Sequence, residues 1–278
     1  MKRIVSICPS NTELLYFLGL DEQVVGLDDY SDWPPEWDGR PRLGPDLDID
    51  IEKVKSLRPD LVIASLSVPG MEKNIERLKQ TGLQYIVLNP KSIPEIADDI
   101  LLLGEALGLK EHARRVAQQF TDELRQIQAH IPSGAPPVRL YWEWWPKPVF
   151  TPGRKNWLTD VSRIVGAVNI FEDMERKSVQ SDWGEVAARN PDLALIVWTG
   201  VPLRRVKKEL ITSRPEWEGK PFARDSSVHI LEEGWYCRPS PRLLTGIKFL
   251  AHLLYPSIFR APDPDRPFQN TIIKKTAD

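Results

Sequence analysis

The chain has 278 residues, 41% hydrophobic and 27% charged, with a net charge of −2. That length suffices for two lobes of ordinary size, and the composition is that of a globular protein. The charge balance gives no sign of a nucleic-acid or membrane surface, and no run is long and apolar enough to span a bilayer. Ten Trp and 25 Pro are both high. The prolines imply many fixed loops, and the tryptophans imply an aromatic-lined site as well as a core. Met1-Lys2-Arg3 leads directly into an apolar run with no signal-peptide h-region, so the sequence as it stands predicts a cytoplasmic protein. A processed exported form with a new start Met reads the same, which leaves a periplasmic or cell-surface location open. Two Cys far apart in sequence make no disulfide framework.

Ile4, Val5 and Ile7 read as a short strand buried on both faces, broken by Pro9. Ser10 and Glu13 have capping-box spacing, which predicts a helix capped by Ser10, with Leu14, Leu15, Phe17 and Leu18 on its apolar face and Gly19 at its end. A helix that opens at the carboxyl end of a parallel strand directs N–H groups into a crevice where ligands bind. Ser10 and Asn11 would stand there, although a βα turn with no ligand has the same pattern. Val24–Leu27 is a second strand, followed by a loop carrying Trp33 and Trp37. Further elements are a helix over 50–57, a strand over 61–64, a helix over 71–81 closed by Gly82, and a strand over 85–88. This alternation predicts a parallel sheet with helices on both faces.

Two helices, 93–107 and 110 to about 131, then run without a strand, and Pro132 to Pro137 break the chain. The second lobe repeats the scheme: strands over 138–144, 193–198 and 228–231, and helices over 156–165, 183–189 and 240–254. The predicted division is an N-terminal lobe over 1–108, a connecting helix over 109–135, a C-terminal lobe over 136–255 and a Pro-rich tail over 256–278 that packs irregularly or frays. Val54 to Ile63 parallels Val186 to Leu195; each is a helix, a Pro-Asp turn and a buried strand. That match favours a duplicated α/β architecture.

Ser6 to Leu14, Gly26 to Pro35 and Leu57 to Val62, with Thr151-Pro152-Gly153, Gly166 to Phe171 and Arg238 to Arg242, resemble the cobalamin-binding proteins of ABC importers. These belong to the wider class of helical-backbone substrate-binding proteins that also take haem and iron-siderophores. The resemblance covers residues 3 to about 255. It implies two parallel-sheet α/β lobes joined by one long helix, with a ligand in the cleft between them, no catalysis and no cofactor beyond the ligand itself, cobalamin or another corrinoid. Haem or an iron-siderophore, and an enzyme acting on a tetrapyrrole-like ligand, stay open as alternatives. It also implies one exposed Glu per lobe that docks to the permease. Glu72 matches the first, and Cys237 stands where the second is expected. The macrodipole alone also favours a carboxylate at the position of Glu72.

Of the Trp residues that hold the corrin in such proteins, Trp235 fits one position, while Ser65 and Val87 occupy two others. Tyr141-Trp142-Glu143-Trp144-Trp145 compensates in number. Strand alternation sends Trp142 and Trp144 to one face and Tyr141, Glu143 and Trp145 to the other. Trp142, Trp144 and Trp145 are expected at the ligand, with Trp33 on the opposite wall; core packing by one Trp face is the plainer account. Lys147, Arg154 and Arg238 are expected to meet anionic groups of the ligand. Cys8 and Cys237 are each expected at the carboxyl end of a strand, as two unrelated buried thiols, or facing one another or offering a thiolate to a metal centre. The four His residues form no metal-spaced pair, and no nucleophile elbow, P-loop or GxGxxG appears. The expected partners are a small-molecule ligand and an ABC permease, with no nucleic acid and a monomeric chain.

Overall fold

In the computed structural model, which describes residues 2–273, the first apolar run is strand β1 (Ile4–Ser6), and it leads into helix α1 (Pro9–Phe17). Proline's fixed φ and missing N–H suit the first helical position. With Pro9 there, Cys8 becomes the extended N-cap residue, and it makes no side-chain cap bond. This corrects the predicted Ser10 cap. Glu13 is buried and accepts the Ser240 hydroxyl.

Strand β2 (Val24–Leu27), helix α2 (Ile51–Ser56), strand β3 (Leu61–Ser65), helix α3 (Glu72–Lys79) and strand β4 (Tyr85–Leu88) follow. Asp50 caps α2 by accepting from the Lys53 N–H at 3.1 Å. The four strands form one parallel sheet in the order β2-β1-β3-β4. Every residue of β3 is buried, as a central parallel strand requires. Val5, Ile7, Leu43, Val54, Val62 and Leu78 form the core beside it.

Helices α4 (Ile93–Ala106) and α5 (Lys110–Ala129) are joined through Gly108, whose φ of +75° closes the turn. They pack so closely that a Cβ on Gly104 would lie 2.1 Å from that of Ala113. The predicted stripe of α5, Ala113, Val116, Ala117, Phe120, Leu124 and Ile127, is buried. Asp99 on α4 has one carboxylate oxygen buried without a hydrogen-bond partner. Burial, and then repulsion from Glu95 and Asp98, raises its carboxyl to about 7. A carboxyl raised on folding contributes stability that is full below its unfolded value and is lost as pH rises through the folded one. Between about pH 4 and pH 7 the wild type should therefore lose stability relative to Asp99→Asn, whose melting temperature should exceed it at pH 8. Parallel melting curves for the two proteins across that range would refute this.

Two compact units are present. The first comprises 1–90, 94–120 and 239–241, and the second comprises 91–93, 121–238 and 242–278. The division falls inside α5, between Phe120 and Thr121. The second unit holds strand β5 (Val138–Glu143), strands β6 (Trp145–Pro146) and β7 (Val149–Pro152), helix α6 (Trp157–Ile164), strands β8 (Ala167–Asn169) and β9 (Ser178–Ser181) and helix α7 (Trp183–Arg189). Strand β10 (Leu193–Ile196), helix α8 (Glu209–Thr212), strand β11 (Val228–Ile230) and helix α9 (Leu243–Leu254) complete it. Its parallel sheet runs β11-β10-β5-β8, and β6-β7-β9 form an antiparallel sheet that sequence pattern did not predict.

The internal repeat is geometric as well as sequential. Arg58 and Asn190, each just before its Pro-Asp turn, are among the described residues the non-glycine ones with positive φ, +47° and +46°. The Arg3 N–H donates to Asp60 at 2.7 Å, and the Arg139 N–H donates to Asp192 at 2.8 Å. The Arg3 guanidinium donates to the Leu57 carbonyl, and that of Arg139 donates to the Arg189 and Asn190 carbonyls. The two Pro-Asp turns thus clamp the amino ends of β1 and β5 in the same way.

The tail was expected to be irregular or frayed. Over 256–273 it is irregular but held. Lys248, buried on α9, donates to the Pro267 and Gln269 carbonyls at 2.7 and 2.8 Å and pairs with Glu123 at 2.6 Å. Phe259 is buried and bridges to Ile272. Residues 274–278 lie outside the described residues.

Candidate ligand-binding site

Open parallel sheets present ligand sites at the carboxyl ends of their strands. In the first unit that edge carries Cys8 after β1, Tyr30 in the loop after β2 and Ser67 after β3. Cys8 is buried, its sulfur 3.3 Å from the Ser10 hydroxyl and 3.8 Å from that of Ser67. Burial pushes its thiol up to about 11, and Asp28 adds to this, so it is a poor thiolate donor. Ser10 is buried against that sulfur. Asn11 is buried too; its amide donates to the Ile63 carbonyl at 3.1 Å and so braces α1 to β3. Trp33 is buried, edge-on to Tyr16 at 4.6 Å and tilted against Phe17 at 5.4 Å. The side chains of Ser10, Asn11 and Trp33, expected at the ligand, are thus packed within the first unit. The loop that holds Trp33 is fixed by a chain of hydroxyls. The Ser31 hydroxyl donates to buried Asp28 at 2.5 Å and bonds to Thr12 at 2.7 Å, and Thr12 bonds to Ser6 at 2.8 Å. At the surface, Tyr30 is 54% exposed, and sequence pattern did not single it out.

In the second unit β5 sorts its side chains as alternation demands. Trp142 points to one face, fully buried, donating to the Ser162 hydroxyl at 3.0 Å and 5.3 Å from the Tyr236 ring. Expected at the ligand, it packs in the core of the second unit. Tyr141 and Glu143 point to the other face. Glu143 is buried and accepts four hydrogen bonds: Arg214 at 2.6 and 2.7 Å, the Tyr141 hydroxyl at 2.6 Å and the Trp198 indole at 2.9 Å. Arg214 is itself sandwiched between Trp183 and Trp217, 4.5 and 4.4 Å from the ring centroids. Burial foremost, and then Glu143, keeps Tyr141 protonated well above the ordinary phenol range. Glu143 is therefore a structural counter-ion rather than an open acid for catalysis.

Beyond β5 the indoles come to the surface. Trp144 is half-buried with its Nε1 unpartnered, and Trp145 is 43% exposed with its indole donating to the Lys147 carbonyl at 3.2 Å. Trp198, after β10, is partly buried and is held by Glu143; the spacing of the three indoles gave no sign of it. Trp235, after β11, is half-buried against Phe249 at 5.9 Å. Its backbone reaches α9 at Gly246, where a Cβ would lie 2.5 Å from the Trp235 carbonyl. Cys237 is half-buried, its sulfur 3.7 Å from both the Thr199 hydroxyl and the Val197 carbonyl. Burial, and then Glu233, holds its thiol well above the usual range.

The expected cations are already engaged. Lys147 lies 4.8 Å over the Trp183 ring, and Arg154 is exposed but pairs with Glu175 at 2.8 Å and donates to the Glu172 carbonyl. Arg238 is buried 3.4 Å from Glu233. Glu72 is exposed at the start of α3 and accepts the Gly70 N–H at 2.8 Å. Among the described residues no cluster of three His, Cys, Asp or Glu could hold a metal ion. No described helix is long and apolar enough to cross a membrane.

Two four-stranded parallel sheets, one in each unit, match the architecture of solved binding proteins. A profile of the family described as periplasmic binding protein matches residues 4–233. The chain belongs to the periplasmic binding protein family. As a periplasmic binding protein it is 30% identical over 264 residues to an uncharacterised ABC transporter substrate-binding lipoprotein of Bacillus subtilis, covering 93% of this chain and 82% of that one. It is 27% identical over 248 residues to the vitamin B12-binding protein of Vibrio cholerae, covering 89% and 87%. The crystal structure of the periplasmic vitamin B12 binding protein of Vibrio cholerae superposes with a TM-score of 0.75 at 26% identity, covering 92% of this chain and 97% of that one. A periplasmic haem binding protein from Pseudomonas aeruginosa gives 0.80 at 21% identity and 99% coverage of both, a likeness of fold. Periplasmic binding proteins of this kind bind solutes and are not enzymes.

Proposed function

We propose that the protein is the solute receptor of an ABC importer and that its ligand is a corrinoid, cobalamin or a close relative of it. The observation that carries this is the likeness, over nearly the whole chain, to vitamin B12-binding proteins. The carboxyl edge of the second unit supports it. Trp144, Trp145, Trp198 and Trp235 supply broad, rigid apolar surface, which suits a large flat ligand. Lys147, Arg154 and Arg238 already have partners within the unit. The relatives described as periplasmic and as a lipoprotein favour an exported location over the cytoplasmic one. Glu72 is the proposed contact for a permease; with Cys237 in place of a second acid, docking would rest on one side.

An absorption titration of the purified chain with cobalamin, cobinamide and haem tests the reading. The expected result is a saturable one-to-one shift with a corrinoid, lost in Trp145→Ala and in Trp235→Ala while both variants melt like wild type. A shift with haem alone would transfer the reading to haem. Failure of all three to bind would overturn it.

A further inference from the structure

The net charge of −2 conceals an uneven distribution. Residues 202–224 hold seven Lys and Arg against three Glu. Arg214 is spent on Glu143, and Lys208 is tied to Asp225, 2.6 Å from its carbonyl oxygen and 3.3 Å from its carboxylate. Arg204, Arg205, Lys207, Lys220 and Arg224 are exposed. The Lys208–Asp225 tie brings the Arg224 turn against the start of α8. The end of α8 and that turn line one pocket of about 590 Å³, with Thr212, Ser213, Lys220 and Arg224 on its walls and the Glu218 carboxylate beside them. Two leucines stand among these cations. Val206 and Ile211 are buried anchors, and they fix the backbone so that Leu203 is 44% and Leu210 55% exposed.

We propose that this surface of the second unit docks on an anionic phospholipid membrane. The cations meet headgroup phosphates, the pocket between α8 and Arg224 accepts one headgroup, and Leu203 and Leu210 enter the boundary with the acyl chains. Interleaved cations and solvent-facing leucines are the composition of an interfacial segment. The leucines are seven residues apart in the chain, so a protein partner would need a matching shape for each. A fluid bilayer accepts separated apolar side chains without one. The proposal goes beyond the ligand reading and does not depend on it.

Co-sedimentation of the full chain with vesicles tests it. One set is phosphatidylcholine alone, and the other is equal parts phosphatidylcholine and phosphatidylglycerol. Binding should favour the anionic vesicles and weaken as salt rises. A variant carrying Arg204→Glu, Arg205→Glu and Lys207→Glu should bind them at least about tenfold more weakly, with unchanged melting temperature. Leu203→Ser with Leu210→Ser should weaken binding while keeping its salt dependence. Equal binding by wild type and the charge-reversed variant, or no binding at low salt, would overturn the proposal. Tight binding to soluble polyglutamate that the leucine variant retains in full would overturn it in favour of an acidic protein partner. The charge-reversed variant should still bind its corrinoid, so failure of one reading is distinguishable from failure of the other.

Discussion

Arg214→Met should destabilise the second unit by about 3–5 kcal/mol, the cost of leaving one member of a buried ion pair without its partner. Glu143 is completely buried, and two of its four hydrogen bonds come from Arg214. Without them its charge keeps only the Tyr141 hydroxyl and the Trp198 indole. Met fills much of the vacated space between Trp183 and Trp217, so the loss reads as electrostatic more than as a cavity. Urea unfolding should show a lower midpoint at unchanged slope. Adding Glu143→Gln should recover a large part of the loss, because the amide needs no counter-ion, and the cycle of single and double variants measures the coupling. A single-variant loss below about 1 kcal/mol would mean that the pair is solvated and does not brace the unit.

Trp142→Ala should also cost about 3–5 kcal/mol, as truncation of a buried indole does. Its ring packs against Tyr236, and its N–H is held by Ser162. Trp145→Ala, removing a side chain that is 43% exposed, should stay within about 0.5 kcal/mol of wild type. If the corrinoid reading holds, the two neighbours separate fold from function: the first loses binding only by unfolding, and the second loses binding while folded. Loss of binding by a Trp142→Ala protein that still melts like wild type would place that indole at the ligand after all.

What could be read from the sequence followed from how each segment signals itself. Strands β1, β3, β4, β5 and β10 are short, largely apolar runs, two of them, β3 and β10, entered by a Pro-Asp turn, and that pattern has few other readings. Strands β6, β7 and β9 escaped notice because Trp-Pro, Val-Phe-Thr-Pro and Ser-Val-Gln-Ser are too short to alternate, and two of them contain proline. The Ser10 cap was misplaced because a capping-box pattern competes with proline's preference for the first helical position, and Pro9 prevailed. The site was less legible than the fold. Alternation correctly separates Trp142 from Tyr141 and Glu143, but a sheet covered on both faces buries both sets, so alternation alone does not say which indole meets a ligand. Trp198 was missed for a related reason. It is drawn to the carboxyl edge by a hydrogen bond to Glu143, fifty-five residues away, and no local pattern records that.

The paired Pro-Asp clamps divide the labour between the two ends of each sheet. At the amino edge, Arg3 with Asp60 and Arg139 with Asp192 repeat one another bond for bond. At the carboxyl edge the likeness stops: the first unit carries a buried thiol and hydroxyl beside an exposed tyrosine, and the second carries indoles. A chain built in this way can exchange what it recognises by altering residues at one rim, while the anchors that set strand position stay untouched at the other.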